Sequence, residues 1–314
     1  MELILANPRG FCAGVIRAIE TVYRALKKYG PPIYVLHEIV HNRHVIENLK
    51  NVGTIFVKDL EDIPRGAVTL FSAHGVSRAV EKRAKEFGLI TVDATCPLVS
   101  KVHRRVGKLS NNGYELIMIG HAGHPEVEGT QGRTNSKVQV VSTRQDVDNL
   151  QISNPEHLAY VSQTTLSMHD SEEIVTALKQ RFPAIEGPLH TDICYATQNR
   201  QNAVRELASE VDILFVVGSK NSSNSNRLRE TGEQQGIPSY LIDDASEIEP
   251  EQVAGVQKIG LTAGASAPDS LVQGVVQRLR DLGVTSVREM FGRQENVHFA
   301  PVELPDIPEQ REEK

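Results

Sequence analysis

Short apolar runs recur along the chain, each followed by a polar loop and then by a stretch whose apolar positions return with helical spacing. The first such unit is MELILANPRGFCAGVIRAIETVYRALKKYG, which predicts a strand at Leu3–Ala6 and a helix from Ala13 to Lys28. IYVLHEIVHNRHVIENLKNVG, AVTLFSAHGVSRAVEKRAKEFG and GLITVDATCPLVSKVHRRVGKLSNNG repeat the unit, and TIFVKDLEDI adds a strand after the first of these. YELIMIGHAGHPEVEGTQG, LAYVSQTTLSMHDSEEIVTALKQRF, TDICYATQNRQNAVRELASE, ILFVVGSKNSSNSNRLRETG and KIGLTAGASAPDSLVQGVVQRLRDLG continue it. Strands alternating with helices of about 10–15 residues imply mainly parallel sheets with helices on both faces, so the expected fold class is α/β. Gly30, Gly88, Gly113, Gly232 and Gly283 fall where helices should end in a glycine cap.

The cysteines divide this pattern. Cys12, Cys96 and Cys194 each lie at or just before a helix start, in FCAGVIRAIE, TCPLVSKVHR and ICYATQNRQNAV, and Pro97 suits a first helical turn. The expected organisation is a first α/β domain over 1–96, a second over 97–193, a third over 194–282, and a tail over 283–314. The tail, rich in Pro and Glu, is expected to pack on the other domains and then fray. Three pseudo-equivalent domains closing around a central cavity would bring the three cysteines together there.

With 314 residues, 39% hydrophobic and 24% charged, the chain can build real cores. A net charge of −6 argues against a nucleic-acid partner but not against a small anion, because local positive groups outweigh the whole-chain charge. No apolar run reaches transmembrane length, and the amino terminus enters a strand without a secretory pattern. The expectation is a cytoplasmic protein with no membrane partner. An odd number of widely spaced cysteines fits a reducing compartment and leaves metal, redox or nucleophilic roles open, beside the plain one of buried apolar side chains.

Ligands of open α/β sheets bind beyond the carboxyl ends of the strands, near helix amino termini. The unusual residues of this chain sit in such loops: His41 in HEIVHNRH, His74 in AHGVS, His124 and Glu126 in HAGHPEVEGT, and Thr164 with Thr165 after AYVSQ. Ser222, Ser223 and Asn224 lie in GSKNSSNSN, and Ser266 in TAGASAP. Taken singly, each is a helix cap or a solvated side chain. Taken together, three imidazoles, several hydroxyls and an amide make a phosphate or diphosphate site, with Gly75, Gly123 and Gly264 allowing close approach of backbone to ligand. His41 is expected to face the cavity and His44 to lie on the following helix, while Asp93 and Asp192 read as helix-start or supporting groups. There is no GxxxxGK[ST] phosphate loop and no GxSxG elbow, and PRGFCAGV only partly echoes a dinucleotide turn. Three similarly placed thiolates suit a cubane iron–sulfur cluster with one iron free of protein ligands, but also a zinc site with three thiolates, and spacing does not choose between them.

The ordered set ANPRGFCAGV, AHGVS, DATCPLV, GHAGHPEVEGT, VSQTTLS, TDICYATQNRQ, VVGSKNSSNSNRL and TAGASAP resembles the 4-hydroxy-3-methylbut-2-enyl diphosphate reductase family, over nearly the whole chain. That family supplies the last enzyme of the methylerythritol phosphate route to isoprenoids. The resemblance implies a monomer of three α/β domains around a cavity, with a [4Fe-4S] cluster on Cys12, Cys96 and Cys194. It implies that His41, His74, His124, Ser222, Ser223, Asn224 and Ser266 surround the substrate diphosphate. It places Thr164 and Glu126 near the allylic hydroxyl, with Glu126 delivering protons beside His124. The implied reaction is reductive dehydroxylation to isopentenyl and dimethylallyl diphosphate, fed by a ferredoxin- or flavodoxin-like carrier.

Overall fold

The computed structural model describes residues 1–306. In chain order its first elements are β1 (Glu2–Leu5), α1 (Ala13–Tyr29), β2 (Ile33–Leu36), α2 (Arg43–Asn51), β3 (Thr54–Val57), β4 (Val68–Phe71), α3 (Arg78–Glu86) and β5 (Ile90–Asp93). Then come α4 (Pro97–Asn111), β6 (Glu115–Ile119), α5 (Pro125–Gln131), β7 (Val138–Val141), α6 (Arg144–Asp148), β8 (Leu158–Ser162) and α7 (Met168–Arg181). The last are α8 (Tyr195–Ala208), β9 (Ile213–Val217), α9 (Ser223–Gln234), β10 (Ser239–Ile242), α10 (Pro250–Val253), β11 (Lys258–Ala263), α11 (Asp269–Asp281) and β12 (Ser286–Glu289).

The strands form three sheets, ordered β3-β2-β4-β5, β7-β6-β8 and β10-β9-β11-β1-β12. Every paired strand runs parallel. Parallel strands need helical crossovers, which cover both faces of a sheet, and this is why β4 (VTLF) and β9 (ILFVV) are buried at every position. Successive side chains alternate faces, so each strand feeds two apolar layers. Val35 and Leu70 pack on Val15, Ala18 and Val22 of α1, whereas their neighbours Leu36 and Phe71 pack on Ala84 of α3. Ile117 and Ile119 meet Ile174 and Leu178 of α7, while Leu116 and Met118 meet Val102 and Val106 of α4. Phe215 lies against the α11 side and Leu214 against Val204 and Leu207 of α8. Fully burying a valine, leucine, isoleucine, phenylalanine or methionine side chain in such a layer stabilises the fold by about 1.5–3 kcal/mol.

Sheet membership does not follow the expected segments. β1 lies within 1–96 by sequence, yet it pairs with β11 (Leu3 opposite Ile259) on one edge and with β12 (Leu3 opposite Val287) on the other. β12 itself falls within the expected tail. A strand buried on both faces satisfies its backbone groups only between two others, and β11 and β12 leave a strand-wide gap that β1 fills. Gly232 also differs from expectation: it lies inside α9, where a β-carbon would come within 2.8 Å of Leu214 Cδ2. Its smallness lets the helix sit down on the sheet, and the positive φ that ends this stretch belongs to Gly236.

Beyond β12 the chain runs back along α1. Arg17 Nε, Arg24 Nη1 and Lys28 Nζ donate to the carbonyls of Ala300, Val302 and Leu304 at 2.9, 2.7 and 2.9 Å. Val302 joins the apolar layer beneath them. The expected fraying falls on residues 307–314, outside the described residues. Among the described residues no helix is long and apolar enough to cross a membrane.

Candidate active site

Cys12, Cys96 and Cys194 are the N-cap residues of α1, α4 and α8. An N-cap side chain normally accepts a hydrogen bond from the first helical turn. Cys194 Sγ does so, lying 3.4 Å from Thr197 N and 3.2 Å from Thr197 Oγ1, whereas Cys12 and Cys96 make no such bond. Each cysteine is instead fixed through its own N–H, which donates to a carbonyl in a different loop: Cys12 to Ala265, Cys96 to Ala73 and Cys194 to Thr164, at 3.2, 3.0 and 3.0 Å. Those carbonyls belong to the loops that carry Ser266, His74 and Thr164. The tie between sulfur positions and polar loops is therefore covalent in part and one hydrogen bond long in the rest.

One cavity of about 110 Å³ is lined by all three cysteines and by His41, His74, His124, Glu126, Thr164, Ser222, Ser223, Asn224 and Ser266. Gly14 forms part of its wall. A β-carbon there would lie 2.7 Å from Cys96 Sγ, so glycine leaves that sulfur room, while Cys12 Sγ at 3.9 Å would be in ordinary contact. Burial, and then the neighbouring thiols, push Cys96 up to about 12. Burial and the charge on Cys12 likewise push Cys194 up to about 11. Cys96 and Cys194 therefore resist ionisation unless a cationic centre compensates them, which is the electrostatic condition a metal group satisfies. Among the described residues no three His, Cys, Asp or Glu side chains converge tightly enough to hold a single metal ion. The three thiols, with Gly14 leaving the Cys96 sulfur its space, are a donor set of the kind a metal group takes.

The imidazoles form one cluster in the cavity wall. His41 and His74 stack with ring centroids 4.2 Å apart, and His124 meets them edge-on at 5.5 and 5.7 Å. Burial and then the other histidines depress His74 far below the ordinary imidazole range, and the same causes bring His124 down to about 3. Glu126 N donates to His124 Nδ1 at 3.1 Å, so that nitrogen carries no proton and the ring N–H is at Nε2. The Nε2 atoms of His41 and His124 are buried without a partner. Buried polar atoms left unpaired are costly, and an anion in the cavity would satisfy the donor at His124 Nε2.

Glu126, 3% exposed, accepts from Thr164 N at 2.7 Å and from Thr164 Oγ1 at 3.1 Å. Burial raises this carboxyl to about 7, against the lowering effect of both Thr164 bonds. Its titration is thereby moved from the ordinary carboxylate range toward neutrality. The remaining polar residues are partly engaged with protein. Ser222 caps α9 through Ser225 N at 3.3 Å, and Ser223 Oγ accepts from Thr165 Oγ1 at 3.1 Å. Asn224 Oδ1 accepts from Ala265 N at 2.8 Å, leaving its amide N–H groups toward Thr197, and Ser266 Oγ donates to His41 O at 2.8 Å.

His44 points away on α2 and meets Asp244 at 2.9 Å. Asp93 closes a local turn with Thr95 N at 2.9 Å, and Asp192 accepts from Ser162 N at 3.1 Å. Gly75 and Gly264 make room for the protein side chains His103 and Ser225. Two supporting residues escape a reading of the loops. Thr197, three residues after Cys194, lies in the first turn of α8 with its hydroxyl on the Cys194 sulfur. Glu38 Oε2 lies 2.9 Å from His41 Nδ1 and accepts from Asn221 at 2.8 Å, so it orients His41 and joins two loops. His37 to His41 also has the HExxH spacing of helical zinc sites. Here that stretch is irregular and His37 is exposed with φ 60°, so the two histidines share no helix face.

A parallel α/β scaffold whose strand ends enclose sulfur donors, unpartnered imidazoles and a proton-bearing carboxyl is that of an enzyme with a closed small-ligand site. The LytB protein family model matches residues 3–280. The chain belongs to this family, that of the 4-hydroxy-3-methylbut-2-enyl diphosphate reductases. It is 57% identical over 306 residues to the reductase of that name from Desulfotalea psychrophila, covering 98% of this chain and 97% of the relative. To the reductase from an Azoarcus species it is 56% identical, covering 97% and 98%. The structure of the E-1-hydroxy-2-methyl-but-2-enyl-4-diphosphate reductase from Plasmodium falciparum superposes with a TM-score of 0.92 at 41% identity, over 96% of this chain and 95% of that one. A second reductase structure, described as the terminal enzyme of the non-mevalonate pathway, gives 0.64 at 34% identity over 89% and 99%.

Proposed function

We propose that this chain reduces (E)-4-hydroxy-3-methylbut-2-enyl diphosphate to isopentenyl diphosphate and dimethylallyl diphosphate. The allylic C–O bond breaks, a C–H bond forms, and the hydroxyl leaves as water, which takes two electrons and two protons. The observation that supports this reading best is the sharing of one enclosure by three thiols, three imidazoles and the Glu126–Thr164 pair. Cys12, Cys96 and Cys194 would hold a [4Fe-4S] cluster, which when bound supplies single electrons and an iron free of protein ligands.

The remaining chemistry falls to this chain's own side chains. His124 Nε2–H, His41, His74, Ser222, Ser223, Asn224 and Ser266 bind the diphosphate, and its negative charge raises His74 and His124 toward their protonated forms. Glu126 holds a proton in reach of the hydroxyl, with Thr164 fixing the carboxyl and orienting the substrate oxygen. His124, whose Nδ1 binds Glu126 N, keeps that carboxyl in register with the anion site. Apolar Val15, Val40, Leu98 and Val99 exclude water from the same enclosure. The reading includes a ferredoxin- or flavodoxin-like electron donor and a monomer working in the cytoplasm.

An anaerobic assay with a strong one-electron donor, on protein checked for iron and sulfide, tests the proposal. Conversion to the two five-carbon diphosphates that depends on reductant is expected. No conversion by fully loaded protein rejects it, and turnover without reductant points to a hydro-lyase.

A further inference from the structure

Arg200 is the largest side chain in the protein that is fully buried, at 0% exposure. A guanidinium in that position must place all five N–H groups, and Arg200 does so. Its Nε donates to Gly10 O at 3.1 Å, and Nη2 donates to Gly10 O at 2.7 Å and to Phe11 O at 3.4 Å. Nη1 donates to Ala196 O at 3.0 Å and to both oxygens of Glu295, at 3.1 and 3.2 Å. Asn199 holds Glu295 Oε1 at 2.9 Å.

These partners have one thing in common. Gly10 and Phe11 immediately precede Cys12, and Ala196 lies in the first turn of the helix that Cys194 caps. We infer that Arg200, locked by Glu295, is a positioning residue that sets two of the three cysteine sulfurs relative to each other. Gly10 N also donates to Ala263 O at 3.0 Å, so the loop is held from the sheet on one side and from Arg200 on the other. On the outer side of this clasp lies a separate cavity of about 430 Å³, lined by Phe11, Tyr195, Arg200 and Glu295 among others. Glu295 comes from the irregular segment after β12, which is the only described element that neutralises Arg200. The segment therefore acts on the site without touching the cavity that holds the thiols.

Geometry distinguishes this role from a bare charge. A lysine keeps the positive charge but offers three donors from one point, so it cannot span Gly10, Phe11, Ala196 and Glu295 together. The inference rests on the cluster reading of the three cysteines, and the experiment separates the two. Wild type, Arg200→Lys and Glu295→Gln are loaded anaerobically and assayed for iron and sulfide per chain. Release of iron to excess chelator, the electron paramagnetic resonance spectrum of the reduced state, the midpoint potential and thermal melting are then measured on each. Arg200→Lys is expected to release iron about tenfold to a hundredfold faster and to change the spectrum, as loss of a partner that orients metal ligands does. Glu295→Gln is expected to raise the midpoint potential, since it removes a negative charge and leaves Arg200 in place, with a smaller change in release rate. Wild-type spectrum, potential and release rate in both variants, whatever their melting temperatures, overturn the inference. If Arg200→Lys fails to fold, Glu295→Gln decides alone on potential and release rate. A wild-type chain that takes up no iron and sulfide removes the cluster reading itself, and this inference with it.

Discussion

Replacing Glu126 by glutamine keeps the side chain's shape and the acceptor for Thr164 N while removing the transferable proton and the charge. Two consequences follow with opposite signs. Turnover should fall by about 10²–10⁴, the usual contribution of a positioned general acid, with substrate affinity changed little. Stability should rise. The carboxyl titrates at about 7 in the folded chain against an ordinary value of 4.5, so between these pH values the folded chain holds a proton that the unfolded chain has released. Stability attributable to Glu126 is therefore lost as pH rises from 4.5 and reaches its full deficit above 7. Its size is about 3 kcal/mol, from the separation of the two values at about 1.4 kcal/mol per pH unit. Glu126→Gln does not titrate, so its advantage over wild type should be absent near pH 4.5, grow through pH 7 and then level off. Anaerobic urea unfolding of cluster-loaded protein at several pH values reads this directly. Stability curves that stay parallel across the range would refute the buried-acid argument, and near-normal turnover by the loaded variant would remove Glu126 from proton delivery.

Thr164→Val deletes the hydroxyl bond that lowers Glu126 and leaves the backbone bond intact. The alkaline fall of kcat should move to higher pH, and an unmoved limb would show that the hydroxyl does not tune the acid. Gly14→Ala puts a methyl 2.7 Å from Cys96 Sγ, so iron and sulfide per chain should drop sharply while circular dichroism stays near wild type. Full occupancy would mean that the sulfurs are not crowded there. A monophosphate analogue of the substrate should bind about tenfold or more weakly by calorimetry, because charge-assisted hydrogen bonds to buried donors are worth about 1.5–3 kcal/mol each. Equal dissociation constants would count against a diphosphate site built on the three imidazoles.

Much of this arrangement was legible from local pattern. The helix over 13–28 is observed as Ala13–Tyr29, and the parallel α/β class follows from a repeated strand, loop and helix. Side chains placed at strand ends share one cavity because every strand points its carboxyl end the same way within its sheet. Partnering was not legible. LILA has no feature that selects Lys258–Ala263 over the nearer IYVL, since strands buried on both faces read alike as short apolar runs, and the exposed edge strand SVRE carries no apolar run at all. Edge strands β7 and β10 left little trace, as their half-buried residues break the continuous apolar signal. Arg200 in TQNRQ reads as a solvated helix face. Its burial depends on carbonyls 190 residues away and on a glutamate beyond the last strand, which no local window contains.

The interleaving of β1 between β11 and β12 has a consequence for how the protein is made. β1 leaves the ribosome well before either of its neighbours, because residues 258–263 and 286–289 are synthesised later. At about 5–20 residues per second, that wait is on the order of tens of seconds. Throughout it, LILA and the Cys12 loop behind it lack the backbone partners at Leu261, Ala263 and Ala265 that fix them. Such long-range pairing folds slowly and leaves an apolar segment open to chaperones or to misassociation. The Cys12 loop consequently takes its final shape only after β11 and the Ala265 loop have been made, whatever the order in which the other two cysteines are set.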